Sequence, residues 1–322
     1  MTERRELEPV RFVEPFRSVL YSPHYLALGL GLFAREGLAV EHVTASLAAG
    51  VSRALFGGRA EIGLSGPMRA LGAADRGEGR LVCVAEVASR AGFFLLGRPP
   101  ARDFTWRDLV GRRVAVFREA PTPRLCLEYV LERHGVNPGA VELVSDLGTD
   151  LAVDRFLDGR FDYLLEGQPV VEGLLAGGQA YLAAALGPAL GPVAFTAYLV
   201  LPRVLAARAD VVDAALRALY RAQRWLHTRT PEETGAEVAW AFPGLARDLL
   251  VGAIRRYLAM RTWAADPVLR QPAFDALQEV LLLRGFVRHT HSYDELVDTE
   301  RAIAAVEAVR ASDGAAAGED LR

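Results

Sequence analysis

No lysine occurs anywhere in the 322 residues: all 37 basic side chains are arginine. The chain therefore cannot tether pyridoxal phosphate as a Schiff base or run lysine-based covalent chemistry. Cysteine is almost absent too. Cys83 and Cys126 lie more than forty residues apart, in a strand-like and a helix-like apolar context, which reads as two buried free thiols. Six histidines are scattered, and only His289 and His291 stand close, alternating in a loop-like stretch, so no metal and no cofactor are expected. Charge of one sign is also lacking. A net charge of -3 gives no pull toward nucleic acid or anionic membranes. One long uncharged run exists, residues 179–202, but Gly187, Pro188, Gly191 and Pro192 break it into a loop followed by a strand. No membrane-inserted helix is expected. The opening MTERRELEPVRF has charge and no apolar h-region, so as written it is not a secretory signal.

What is present suits two ordinary globular units: 51% apolar and 24% charged residues over a length comfortable for two domains. Short β-rich runs alternate with helical patterns, which predicts α/β architecture with mostly parallel sheets. Strands are expected at 10–14, 39–43, 60–64 and 81–85, with helices from Pro23, at 50–56 and from Pro67. In the first helix Tyr25, Leu28, Leu32 and Phe33 fall on one face. After residues 93–96, GRPPARDFTW reads as a lobe boundary. The pattern then restarts, with strands at 113–117, 141–145 and 161–165 and helices at 123–133 and 151–157. From Val204 onward only helices follow. Thr230, Pro231 and Glu233 spell a capping box, and residues 311–322 read as a disordered polar tail.

An internal echo stands out. Residues 58–67 read GRAEIGLSGP and residues 159–169 read GRFDYLLEGQP; both follow an amphipathic helix and both end in proline. Two similar lobes are the economical explanation, although a common helix–turn–strand frame can also arise by convergence. In each copy a polar residue stands just past the strand, Ser65 (followed by Gly66) in the first and Glu166 in the second. Ligands of open α/β sheets bind beyond the carboxyl ends of the strands. Facing lobes therefore place Ser65 and Glu166 on opposite walls of a cleft.

The order of SPHYLALGLGLFAREGLAVEHV, GRAEIGLSGP, DLVGRRVAVF and, in the C-terminal half, AFPGLARDLLVGAIRRY and SYDELVD resembles the ABC-importer solute-binding proteins for sulfonates, nitrate and thiamine-pyrimidine precursors, over residues 10–305. The resemblance implies a two-lobed type II periplasmic-binding-protein fold that is not an enzyme. Its first lobe is 1–97 plus 199–310 and its second 98–198, with a helical C-terminal segment packed on the first. It implies a monomer that takes a small-molecule ligand and docks on importer membrane subunits, with no nucleic-acid partner. Periplasmic or cell-envelope residence follows from the family; the signal-free start points instead to a cytoplasmic enzyme or ligand sensor on the same scaffold. The thiamine-pyrimidine synthase variant of the fold needs a lysine-held cofactor, and the sulfinate desulfinase variant needs a cleft cysteine; neither suits this sequence.

In that fold the loop after the first strand faces the ligand, which nominates Phe16, Tyr21, Ser22, His24 and Tyr25. Ser22 as N-cap with Pro23 at N1 needs no ligand at all, whereas Tyr21 before the cap is the better ring-stacking residue. The mirror loop nominates Phe117, Glu119 and Thr122, with Thr122 as the expected N-cap. Thr196 and Tyr198 come from the return strand. Glu166 is the leading single residue, and Glu119, Glu166 and His24 are the acid–base set if the chain were an enzyme. Several rings, two carboxylates and no lysine favour an aminopyrimidine-like or other aromatic nitrogen ligand, with a sulfonate or nitrate as the rival.

Overall fold

A computed structural model describes residues 6–45 and 47–319. Ten strands form: β1 (Glu8–Glu14), β2 (Leu38–Thr44), β3 (Ile62–Ser65), β4 (Val82–Ala88), β5 (Phe93–Gly97), β6 (Arg113–Val116), β7 (Glu142–Val144), β8 (Tyr163–Gly167), β9 (Tyr181–Ala185) and β10 (Thr196–Val200). They make two five-stranded sheets, ordered β2-β1-β3-β10-β4 and β7-β6-β8-β5-β9. Each sheet carries one antiparallel strand, β10 in the first and β5 in the second, among four parallel ones. The parallel strands follow from the intervening helices, which carry the chain back across a sheet face. This is the expected two-lobed α/β fold.

The antiparallel strands correct the expected lobe boundary. Residues 93–97 pair with β8 and β9, so the chain leaves the first sheet between β4 and β5, before Gly97. It returns before Thr196 rather than at Leu199. Proline-rich composition at 98–102 marks a loop within the second lobe; strand pairing decides membership.

The echo is structural. Gly58 and Gly159 adopt left-handed φ of 66° and 78° just past the helices Ala48–Phe56 and Thr149–Leu157. In the first lobe Glu61 Oε2 accepts from Arg11 N at 2.8 Å, Arg11 Nη1 donates to Arg59 O at 3.1 Å, and Arg11 Nε donates to Glu41 at 2.8 Å. In the second, Asp162 Oδ2 accepts from Arg113 N at 3.0 Å, Arg113 Nη1 donates to Arg160 O at 2.8 Å, and Arg113 Nε donates to Glu142 at 2.9 Å. The same arginine brace crosses three neighbouring strands in both lobes. Exposed pairs of this kind add little stability; their value here is to show that the lobes share one plan. One difference is informative: where the second copy has Leu164, the first has Gly63. A Cβ there would sit 2.7 Å from Val51 Cγ1 and 2.9 Å from Leu55 Cδ1. Gly63→Ala is therefore expected to cost about 1–2 kcal/mol by overpacking, read as a lowered urea midpoint; an unchanged midpoint would mean that the helix Ala48–Phe56 rides freely over β3.

Two local expectations shift. The first helix, Ser22–Gly29, stops where Gly31 turns left-handed (φ 65°), and a separate turn, Leu32–Arg35, carries Leu32 and Phe33 into the core. Ser22 and Thr122 are not N-caps: each stands one position inside its helix, behind Tyr21 and Pro121, and Ser22 Oγ donates to Val19 O at 2.7 Å. The capping box forms, with Glu233 N donating to Thr230 Oγ1 at 3.2 Å and Thr230 N to Glu233 Oε2 at 2.9 Å. Of the C-terminal helices, Ala209–Thr228 lies against Ser22–Gly29 and the last helix against Ala209–Thr228 and β4, whereas Arg247–Ala259 also meets Val170–Ala176 and Gln271–Leu283 meets Thr122–Arg133 in the second lobe. The last helix runs Thr299–Glu319, and Asp313 pairs with Arg221 and Arg224; residues 320–322 lie outside the described residues. Among the described residues no helix is long and apolar enough to cross a membrane.

Candidate ligand-binding site

Between the lobes lies a cavity of about 270 Å³. A cavity of about 150 Å³ already admits benzene, so this one holds a ring with substituents. Its walls are the carboxyl ends of strands and the loops that follow them. The loop after β1 brings Phe16 and Tyr21, β3 ends on Ser65 and Gly66, and the loop after β6 brings Phe117 and Glu119. Thr122 opens the next helix, Glu166 is the penultimate residue of β8, and Thr196 begins β10. These nine residues, named from the sequence, meet in one space.

The other four do not. Ser22, His24, Tyr25 and Tyr198 are fully buried in the first lobe and do not line the cavity. His24 Nδ1 lies 2.7 Å from Tyr198 Oη, and its Nε2 lies 3.0 Å from His42 Nδ1. His42 Nε2 is in ion-pair contact with Glu14 Oε1 at 3.0 Å, off the straight hydrogen-bond direction. Tyr25 donates to Glu14 Oε2, and Thr44 to Glu14 Oε1 at 2.7 Å. Burial, then His42 and Arg17, hold His24 well below its ordinary value, so it stays neutral. Of the polar cluster at the helix mouth, Tyr21 alone lines the cavity, while Ser22, His24 and Tyr25 belong to the core.

Sequence reasoning missed several walls. Phe93 and Phe195 stand at the two chain crossings, and Tyr257 comes from the C-terminal helix Arg247–Ala259. Tyr257 donates to Gly92 O at 2.9 Å and accepts from Gln168 N at 3.3 Å. Gln168 was findable, since it is the one residue inserted in the second copy of the echo; nothing local distinguishes Tyr257. Arg17, Arg69 and Thr149 complete the polar side, and Met68 lies beside Arg69.

Six rings thus surround the space. Phe16 stacks on Tyr21 (5.9 Å, 29°) and meets Phe117 edge-on at 5.3 Å; Phe93 lies 4.9 Å from Phe117 and 6.0 Å from Phe195. Glu166 is only 2% exposed. Its Oε1 accepts from Thr149 Oγ1 and its Oε2 from Gly167 N, both at 3.0 Å. Burial raises its carboxyl from 4.5 to about 7, those two donors oppose the rise, and Glu119 adds to it. At neutral pH the group therefore both donates and accepts. Cys83 and Cys126 are buried away from the cavity, and burial raises both thiols, that of Cys126 to about 12, so neither is a nucleophile.

Comparison with known proteins fits this architecture. Of curated proteins, YtlA of Bacillus subtilis (strain 168), provisionally named a binding protein, is 24% identical over 308 residues, spanning 92% of this chain and 90% of YtlA. The alkanesulfonate-binding protein SsuA from Xanthomonas axonopodis pv. citri, solved with MOPS bound, superposes with a TM-score of 0.71 at 22% identity, over 88% of this chain and 95% of that one. The desulfurization enzyme DSZB superposes with a TM-score of 0.68 at 16% identity, over 93% and 99%. At these identities the structures establish a shared fold. The family model described as NMT1/THI5 like matches residues 20–234, well over half of the sequence, and the chain belongs to that family.

Proposed function

We propose that the chain is a solute-binding protein for ABC-type import, which captures a small aromatic, nitrogen-bearing molecule between its lobes. The observation that carries the reading is the ring-walled cavity between two sheets, with the Glu166 carboxyl buried at its polar end. Aromatic faces hold a flat body, and a carboxyl group accepts from ring or exocyclic nitrogen donors. The lobes are the two sheets with their helices, the C-terminal helices belong to the first, and residues 89–92 and 186–195 form the hinge. Closure over the ligand presents one surface to importer membrane subunits. The chain acts as a monomer in the periplasm or cell envelope. A binder rather than an enzyme is supported by two inert thiols and by His24, whose ring nitrogens are both taken up in the core.

A thermal-shift screen of the purified chain tests this, because a ligand that binds only the folded form raises Tm by mass action. The probes are an aminopyrimidine, MOPS, nitrate and aromatic acids. An aminopyrimidine is expected to raise Tm, and Glu166→Gln to weaken its binding about tenfold or more. A shift with MOPS or nitrate alone would replace the ligand class. Turnover of a bound probe, or no shift with any, would replace the function, in favour of an enzyme or sensor on the same fold.

A further inference from the structure

Four charged side chains line the cavity: Arg17, Arg69, Glu119 and Glu166. Two have their partners inside the protein. Arg17 lies 3.3 Å from Glu14, and Glu166 accepts from Thr149 and Gly167. The other two do not. Arg69 Nε and Glu119 Oε2 are shut off from solvent with no hydrogen-bond partner, and among the described residues neither side chain takes part in an ion pair. Both side chains are half-buried, and an orphaned polar atom in a native site calls for a missing partner.

The two orphans have opposite signs and come from opposite lobes. Arg69 follows Met68 in the helix Met68–Asp75 of the first lobe, and Glu119 precedes Thr122 in the loop after β6 of the second. Met68 Sδ touches Thr122 Oγ1 across the gap, and Arg69 Nη2 donates to Met68 Sδ at 3.6 Å. This places the guanidinium one contact from the second-lobe wall. Burial depresses the Arg69 guanidinium, the nearby Arg76 charge adds to the effect and Glu78 opposes it, and a bound anion would act in the same direction as Glu78.

We infer that the ligand is a zwitterion: an aromatic body between the rings, an ammonium or amine donor on Glu119, and a carboxylate- or sulfonate-type anion on Arg69. This rests on the solute-binding reading above and narrows its ligand. A ligand with one charge leaves one orphan buried, whereas a zwitterion completes both and adds no net charge to the closed site. Arg69 also borders a neighbouring groove with Arg53, Arg76 and Glu78, and the test distinguishes the two faces.

Titration calorimetry of the full chain against 4-(aminomethyl)benzoate, benzylamine and 4-methylbenzoate separates the contributions. The zwitterion is expected to bind about tenfold or more tightly than either singly charged probe. Arg69→Gln should weaken the zwitterion and 4-methylbenzoate and leave benzylamine within about twofold, while Arg69→Lys, which keeps the charge, restores part of the loss. Glu119→Gln should do the converse, weakening the zwitterion and benzylamine only. Urea midpoints of each variant check that it is folded. Benzylamine binding as tightly as the zwitterion, or Arg69→Gln leaving 4-methylbenzoate unaffected, would overturn the zwitterion while leaving a solute-binding protein intact. No saturable binding by any of the three probes overturns the zwitterion as well, and the thermal-shift screen then decides the broader function.

Discussion

Above pH 7 the ligand-free Glu166→Gln variant is expected to be more stable than the wild type by about 3 kcal/mol, and below about pH 4.5 the two converge. The cause is the carboxyl raised from 4.5 to about 7 by burial at the end of β8. In the sign this dictates, the folded chain holds a proton that the unfolded chain has lost between those values. The group's contribution is fully present below 4.5 and disappears as pH rises through about 7. An amide resembles the protonated acid at every pH, so it removes the cost. Urea unfolding at pH 4.5, 6 and 8.5 measures the gap; a difference that does not change with pH would show that Glu166 is solvated and ionised throughout. Sites that bind ligands commonly keep groups that destabilise the empty protein, and Glu166 is the best-placed example here.

Glu14→Ala is expected to destabilise the chain by about 3–5 kcal/mol. Glu14 is fully buried, and Tyr25, Thr44, His42 and Arg17 all converge on its carboxylate. Alanine removes the shared acceptor and leaves those donors facing one another in a dry core. Glu14→Gln should cost clearly less, because it keeps one acceptor and the Tyr25 hydroxyl can turn to accept from the amide. A cost below about 1 kcal/mol for Glu14→Ala would mean that water enters and satisfies the donors. The same cluster gives an acid response. His24 is held below its ordinary 6.5, so as pH falls below that value the unfolded chain takes a proton that the fold refuses, and stability is lost. In the wild type the Glu166 trend runs the other way over nearly the same range. The acid loss due to His24 therefore shows most clearly in Glu166→Gln.

The cavity shows how far local pattern reaches. Ser65 and Glu166 were legible because each stands at the strand end of a repeated frame, and the carboxyl end of a parallel strand has a defined place at the sheet edge. Phe16, Tyr21, Phe117, Glu119 and Thr122 were legible for the same reason, as residues of loops that leave such strands. His24 and Tyr25 sit only a few residues further along and are lost to the core. The helical turn that starts at Ser22 swings them onto the inward face, where Glu14 and Tyr198 hold them. A shift of one or two residues in a helix start reverses which way a side chain points, and sequence alone leaves helix boundaries that loose.

By itself the sequence determined most of the element types, the two-lobed plan and the mostly parallel character of the sheets, because periodicity and strand–helix alternation are local signals. It also determined that no lysine Schiff base can form, since the chain has no lysine. Tertiary structure decided the lobe boundary, because residues 93–97 are an unremarkable apolar strand until β8 and β9 pair with them. It decided that Tyr257, more than fifty residues beyond the last strand, joins the wall. It also separated charges with partners from charges without. Pairing across distant segments depends on how two lobes meet, and no local stretch of residues encodes the groups that will lie opposite it.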